Sequence, residues 1–115
     1  MSVLIKYAPS RQLTPLNIKG VEDQLRTSLL GRVEKAYVFG SVADGTYKAG
    51  SDIDLILIED SKLPFAQRGT EFLDLFEIHP EIDILVYSQA EFERQLESSE
   101  LGFWRSVRQT MRQLI

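Results

Sequence analysis

Apolar residues in the first part of the chain follow the three- to four-residue spacing of a helix. They are Leu16, Val21, Leu25 and Leu29. Gly31 stands where a glycine often ends a helix, and Thr14 ahead of Pro15 is typical of a helix start. The pattern predicts a first helix over roughly residues 15–30.

Aliphatic runs over residues 53–58 and 82–87 predict central strands, because such strands are covered on both faces of a sheet. Residues 33–39 predict another strand. Residues 3–7 alternate loosely and predict a short strand or extended arm. The glycines within residues 43–51 predict a loop that contains at most one helical turn.

Apolar periodicity predicts helices over residues 64–78 and 101–114. Between them, Ser88 and Glu91 form the pattern of a capping box, which predicts a helix that continues through Leu96. The order of helices and strands predicts one α/β (α+β) domain, a small mixed sheet flanked by helices.

Composition narrows the possible functions. The chain has 115 residues, which suits one domain, and a net charge of −4, which disfavours nucleic acid as the main partner. It has no cysteine and a single histidine, so disulfides, thiolate nucleophiles and His- or Cys-based metal sites are excluded. With no signal peptide and no long apolar window, we expect a cytoplasmic protein that does not enter a membrane.

One motif stands apart from this ordinary composition. Gly40 and Ser41 end a predicted strand, and after ten further residues Asp52 and Asp54 begin the next one. Side chains two residues apart in a strand share a face. Asp83 lies near the start of a later strand, which a right-handed crossover would make parallel to the Asp54 strand. We therefore expect the three carboxylates to meet at one sheet edge.

Such a cluster of like charges is costly without a counter-ion. A hard divalent cation with oxygen ligands removes this cost, and Mg²⁺ commonly shares its ligands with substrate phosphates. The pattern therefore predicts a two-metal site for phosphoryl transfer, with Asp52, Asp54 and Asp83 as metal ligands. Gly40 and Ser41 would supply donors to phosphate oxygens. The competing interpretation is that these aspartates are ordinary turn residues ahead of strands.

Other residues have plainer interpretations. His79, ahead of Pro80, is expected in a loop, with a general base beside Asp83 as the alternative. Four residues form an apolar stripe on the last predicted helix, and we favour core packing over a partner-facing surface. The stripe consists of Trp104, Val107, Met111 and Leu114. The arginines on another face of that helix are expected in solvent, with an acidic partner or RNA as the alternative. They are Arg105, Arg108 and Arg112.

The motif resembles that of the DNA polymerase β-like nucleotidyltransferase superfamily: hydrophobic-Gly-Ser, about ten residues, Asp-x-Asp, then a strand-borne Asp. The small size is similar to the minimal nucleotidyltransferases of prokaryotes, the MNT or MntA-type group. The resemblance implies a single nucleotidyltransferase domain over residues 1–115. Its parts would be an N-terminal arm (1–15), a catalytic core (16–87) and C-terminal helices (88–115).

The resemblance also implies a function. Members of the MNT group commonly act as antitoxins beside a HEPN ribonuclease toxin, to which they transfer AMP from ATP. Asp52, Asp54 and Asp83 would be catalytic and hold two Mg²⁺ ions, with Asp83 activating the attacking hydroxyl. Many relatives carry an arginine shortly after the Gly-Ser pair, which this chain lacks. The nucleotide would therefore rest on Gly40, Ser41 and, as the nearest cation, Lys48.

The resemblance leaves two function classes open. The first is an Mg²⁺-dependent nucleotidyltransferase that modifies a hydroxyl of a partner protein and forms a hetero-oligomer with it. The second is a non-catalytic antitoxin of the same fold that neutralises its partner by occlusion. Loss of an acidic ligand would favour the second, and all three acidic residues are present. An enzyme that modifies RNA or aminoglycosides would need a substrate domain for which we see no room.

Overall fold

A computed structural model describes residues 17–47 and 51–115 as a mixed α+β structure. This confirms the predicted fold class. In chain order, its elements are α1 (Ile18–Leu29), β1 (Lys35–Phe39), α2 (Ser41–Asp44), β2 (Ile53–Ile58), a 3₁₀ segment (Phe65–Glu77), β3 (Ile82–Tyr87), α3 (Gln89–Ser98), α4 (Gly102–Thr110) and β4 (Arg112–Gln113).

The four strands form one sheet in the order β3-β2-β1-β4. Strand β1 is antiparallel to both β2 and β4. Strands β2 and β3 are parallel, as the crossover between them predicted. The central position of β2 explains its aliphatic sequence, because both of its faces are covered.

Apolar residues pack on the two faces of the sheet in separate clusters. On one face, Ile53, Leu55 and Leu57 lie with the buried side chains of α1 and the 3₁₀ segment. On the other face, Ile56 and Ile58 lie with the aromatic residues of α3 and α4. The alternation along β2 therefore assigns its odd and even positions to different cores.

The helix α1 begins later than the sequence predicted. Its N-cap is Asn17, whose side chain accepts a hydrogen bond from the Gly20 N–H at 3.1 Å. Asparagine is among the best N-caps because it satisfies an N–H that has no partner within the helix. The predicted cap at Thr14, the following Pro15 and the predicted strand over residues 3–7 lie outside the described residues.

The prediction of one helix over residues 101–114 is wrong at its C-terminal end. The helix α4 ends at Thr110, and the chain then pairs with β1 as the short strand β4. The Leu114 N–H donates to the Ala36 carbonyl at 2.7 Å. Backbone groups at the open edge of β1 thus gain partners that a continued helix would have left unpaired.

Because the helix gives way to a strand, the residues of the apolar stripe pack in both hydrophobic clusters, one on each face of the sheet. Trp104 and Val107 are 4% and 0% exposed and pack with the aromatic cluster, whereas Leu114 packs on the opposite face. Core packing is therefore confirmed for these residues. The alternative of a partner-facing surface is wrong, because so little of the stripe reaches solvent.

Two of the three arginines singled out in the sequence bind within the chain. Arg112 forms an ion pair with the buried Glu22 of α1, with 3.0 Å between Nη1 and Oε1. Arg108 donates to the carbonyls of Leu96 and Ser99. These contacts hold β4 against α1 and α4 against the end of α3.

The predicted helix over residues 64–78 forms as a 3₁₀ segment with a break at Phe72, where φ is −125° and ψ is 25°. Arginine side chains bond carbonyls in and around this segment: Arg32 donates to the Glu71 carbonyl and Arg68 to the Leu63 carbonyl. These carbonyls are satisfied without the bonds of a regular α-helix.

The helix α3 confirms the predicted capping box, with reciprocal hydrogen bonds between Ser88 and Glu91. The predicted loop over residues 43–51 begins with the last two residues of a single helical turn, α2. None of the helices in the described part of the chain is both long enough and apolar enough to span a membrane.

Candidate active site

Asp54 and Asp83 face each other at one edge of the sheet. Asp54 is the second residue of β2, Asp83 is the second residue of β3, and the two are direct neighbours in the parallel register. Phe39, the last residue of β1, pairs with Asp54 from the other side. Residues in register share a face, so both carboxylates lie on the aromatic face of the sheet.

The surroundings of Asp54 disfavour its negative charge. Burial raises the pKa of this carboxyl to about 6, together with repulsion from Asp83, a hydrogen bond with Asp83 and, last, repulsion from Asp52. A carboxylate that is both desolvated and near like charges is a common feature of functional sites. Asp54 is therefore the centre of the candidate site.

The three predicted ligands do not stand equally close together. Asp83 raises the pKa of Asp54 through both its charge and a side-chain hydrogen bond, whereas Asp52 raises it only through its charge. Asp52 precedes β2 and is exposed, as is Asp83. Within residues 17–47 and 51–115, no group of three or more acidic or histidine side chains forms an arrangement that could hold a metal ion.

The chemistry of these donors nevertheless fits a hard divalent cation. Carboxylate oxygens are the ligands that Mg²⁺ prefers, and Mg²⁺ is commonly held by one or two carboxylates together with water and phosphate oxygens. Asp54 and Asp83 already supply two adjacent carboxyl groups. A cation between them would offset the repulsion that raises the pKa of Asp54.

Gly40 lies directly against Asp54. Its backbone has φ 75° and ψ −151°, a region that almost only glycine occupies. A Cβ atom at this position would be 2.7 Å from Oδ2 of Asp54, closer than real Cβ contacts allow. Only glycine therefore lets β1 end here while the Asp54 carboxyl keeps its place.

The backbone N–H of Gly40 has a hydrogen-bond partner on α4. This group donates to Oγ1 of Thr110 at 2.8 Å, and the Thr110 hydroxyl in turn donates to the Ser106 carbonyl at 2.8 Å. The N–H of Gly40 thus has an acceptor within the chain. The predicted contact of Gly40 with the nucleotide stays a prediction. Thr110 was not predicted to contact the site, because no local pattern relates residues that are 70 positions apart.

The remaining predicted nucleotide-binding residues flank this point. Ser41 is the first residue of α2 and is partly exposed. Lys48 lies outside the described residues. The predicted role of both in holding a triphosphate stays a prediction.

Aromatic residues adjoin the carboxylates and were not predicted as part of the site. The ring of Phe39 packs edge-to-face with that of Phe103, with 5.4 Å between centroids, and Phe103 packs likewise on Trp104 at 5.3 Å. Phe103 of α4 remains 41% exposed. Its lone position outside the apolar stripe gave no sequence signal.

His79 occupies a loop between the 3₁₀ segment and β3, as predicted. The residue is nonetheless buried, and its backbone N–H donates to the Leu75 carbonyl at 3.4 Å. Burial was not expected of a residue in a His-Pro turn.

Known structures with a similar fold include a chain described as "Crystal structure of the toxin-antitoxin with AMP-PNP". It is 22% identical with a TM-score of 0.55, and the match covers 87% of this chain and 73% of that one. A mutant of the toxin-antitoxin MntA-HpeT is 20% identical with a TM-score of 0.53 and the same coverage. A putative nucleotidyltransferase from Sulfolobus solfataricus is 23% identical with a TM-score of 0.49, covering 79% and 84%.

No curated protein matches the sequence. A family does: residues 24–101 match the family described as "Polymerase beta, Nucleotidyltransferase". The matched segment runs from α1 to just beyond α3 and includes Gly40, Asp52, Asp54 and Asp83. Because it spans more than half of the sequence, the chain belongs to the polymerase beta nucleotidyltransferase family.

Proposed function

We propose that this protein is an Mg²⁺-dependent nucleotidyltransferase that moves AMP from ATP to a hydroxyl group of a partner protein. The observation that carries the proposal is the pairing of Asp54 with Asp83 in adjacent parallel strands, with Gly40 against Asp54. Membership of the nucleotidyltransferase family supports the reaction type. The cytoplasm, where we place the protein, supplies both ATP and Mg²⁺.

In the proposed reaction, the oxygen of the acceptor hydroxyl forms a bond to the α-phosphorus of ATP. The bond from that phosphorus to the oxygen bridging to the β-phosphate breaks, and pyrophosphate leaves. The hydroxyl proton passes to a carboxylate. Bound Mg²⁺ would stabilise negative charge on the attacking hydroxyl oxygen and on the phosphate oxygens of ATP.

Each residue of the site has a proposed role in this reaction. Asp52, Asp54 and Asp83 are proposed to hold Mg²⁺, and the Asp83 carboxylate to accept the acceptor's proton. The exposure of Asp83 supports this role, because an acceptor on another protein must reach it. Ser41 and Lys48 are proposed to contact the triphosphate, and Gly40 to make room for Asp54.

The proposed partner is a HEPN-type ribonuclease toxin, with this protein as its antitoxin. Two chains of similar fold come from toxin-antitoxin structures, one of them with AMP-PNP. The other carries two aspartate-to-glutamate changes two residues apart, the same spacing as Asp52 and Asp54. The net charge of −4 is compatible with a basic partner.

The test is intact-mass spectrometry of a purified HEPN toxin after incubation with this protein, ATP and Mg²⁺. We expect a mass increase of one or more AMP units. Asp83→Asn should abolish the increase, because the proton acceptor and a metal ligand are lost. Asp60→Asn, at an exposed aspartate beyond the other end of β2, is the matched control and should retain it.

A pull-down beside this assay separates transfer from occlusion. We expect Asp83→Asn to bind the toxin as well as the unchanged protein does. If that variant still neutralises the toxin fully without a mass change, occlusion carries the function and the enzymatic proposal fails. Absence of any mass change with the unchanged protein would also contradict it.

A further inference from the structure

An exposed aromatic ring packs on Phe39, the strand neighbour of Asp54, and has no role in the proposed chemistry. Phe103 lies in the first turn of α4 and is 41% exposed, although its neighbour Trp104 is buried. Isolated exposed apolar residues need no explanation by themselves. Phe103 differs because of the site it adjoins.

The sheet register relates Phe103 to the carboxylates. Phe39, Asp54 and Asp83 form one row across β1, β2 and β3, and residues paired in this way have neighbouring side chains on one face. The ring of Phe103 is 5.4 Å from that of Phe39. Phe103 therefore contacts Phe39, which lies in the same row as both carboxylates.

Two aromatic neighbours orient the Phe103 ring. The ring lies at 81° to Phe39 and at 83° to Trp104, so two edge-to-face contacts hold it. The hydrogen bond from the Gly40 N–H to Thr110 also ties α4 to the end of β1. The exposed ring and the Asp54 carboxyl are thus parts of one packed unit.

We propose that Phe103 forms an aromatic wall against which the base of the bound nucleoside triphosphate stacks. The inference rests on the proposed function, because it takes the triphosphate to lie at the carboxylates. The base is joined to the α-phosphate through one ribose, which keeps it within reach of a ring next to that row. Phenylalanine offers no hydrogen bond, so the wall binds bases by their faces, and purines more strongly by their larger area.

The experiment compares ATP with inorganic tripolyphosphate, which has the same phosphates and no base. Binding of each in the presence of Mg²⁺ is measured by calorimetry for the full chain, Phe103→Ala and Phe103→Trp. Phe76→Ala is the matched control, because Phe76 is 39% exposed and lies in the 3₁₀ segment, whose buried residues pack on the opposite face of the sheet. Circular dichroism establishes that each variant is folded.

Phe103→Ala should weaken ATP binding at least about five-fold and leave tripolyphosphate binding unchanged. Phe103→Trp and Phe76→Ala should both bind ATP as tightly as the unchanged protein does. Equal ATP affinity in Phe103→Ala and the unchanged protein would overturn the proposal that the base stacks on Phe103. An equal loss of ATP and tripolyphosphate affinity would also overturn it, since the ring would then support the fold of the site. If the unchanged protein binds neither compound, the proposed function itself fails.

Discussion

The Asp54 carboxyl occupies the space that a side chain at residue 40 would fill: a Cβ on Gly40 would lie 2.7 Å from Oδ2 of Asp54. The end of β1 and the start of β2 therefore approach so closely that only glycine fits. This contact links the conformation of the Gly-Ser turn to the position of the central carboxylate.

Gly40→Ala should destabilise the fold by about 2 kcal/mol or more, through backbone strain and the clash with Asp54. Gly45→Ala is the matched control. Gly45 also has a positive φ, 85°, but nothing lies within 4 Å of a Cβ there, so strain alone should cost about 1 kcal/mol. Urea unfolding measures both free energies. Equal losses in the two variants would contradict the close contact.

Asp54→Asn should make the protein without metal more stable at neutral pH. The raised pKa of Asp54, about 6, means that the folded state binds a proton more readily than the unfolded state, whose value is near 3.8. The stability of the unchanged protein therefore falls as pH rises between these values. The gain in the variant should grow over the same range and reach about 1 kcal/mol at most, since solvent screens a group that is only partly buried.

Thermal unfolding in EDTA from pH 4 to 7 measures this difference, with Asp52→Asn as the control at an exposed position. A lower Tm for Asp54→Asn at neutral pH would favour the interpretation of Asp54 as an ordinary structural residue.

Thr110→Val should destabilise the fold by about 1–3 kcal/mol, because the part-buried Gly40 N–H loses its acceptor. Thr110→Ser keeps the hydroxyl and should retain most of the stability. Chemical unfolding of both variants checks the prediction. Similar losses in the two would show that the methyl group of Thr110, and not its hydroxyl, matters.

Acid should weaken the ion pair between Glu91 and Arg68 at the start of α3. Arg68 and the Ser88 N–H lower the pKa of Glu91 to about 2, below its ordinary value of 4.5. A lowered folded-state pKa stabilises the fold above pH 4.5, and this stabilisation is lost as pH falls towards 2. Glu91→Gln should therefore flatten the stability profile between these pH values. A profile unchanged by the substitution would contradict the role of the ion pair.

The local patterns of the sequence were enough to predict the central part of this fold. The aliphatic runs of β2 and β3 and the crossover between them predicted parallel neighbours, which placed Asp54 beside Asp83. The capping box at Ser88 predicted the start of α3. The capping box depends on residues three positions apart, and the parallel pairing depends on the right-handed crossover rule for successive strands.

The parts that could not be predicted depend on contacts between distant residues. The last helix ends at Thr110 because the edge of β1 offers hydrogen bonds to the residues that follow. The apolar periodicity of residues 101–114 does not indicate that these hydrogen bonds are available. The same holds for the Gly40–Thr110 hydrogen bond and for Phe103 beside Phe39. These contacts became visible only once the helix was placed on the sheet.

The central claim is that the carboxylates at this sheet edge and a nucleoside triphosphate bind Mg²⁺ together. Calorimetric titration of Mg²⁺ into the protein, with and without AMP-PNP, tests it directly once the nucleotide's own Mg²⁺ binding is subtracted. We predict weak binding alone and at least about ten-fold tighter binding with the nucleotide, because its phosphates complete the coordination. In Asp54→Asn this coupling should vanish. Equal Mg²⁺ affinity with and without the nucleotide in the unchanged protein would contradict the claim.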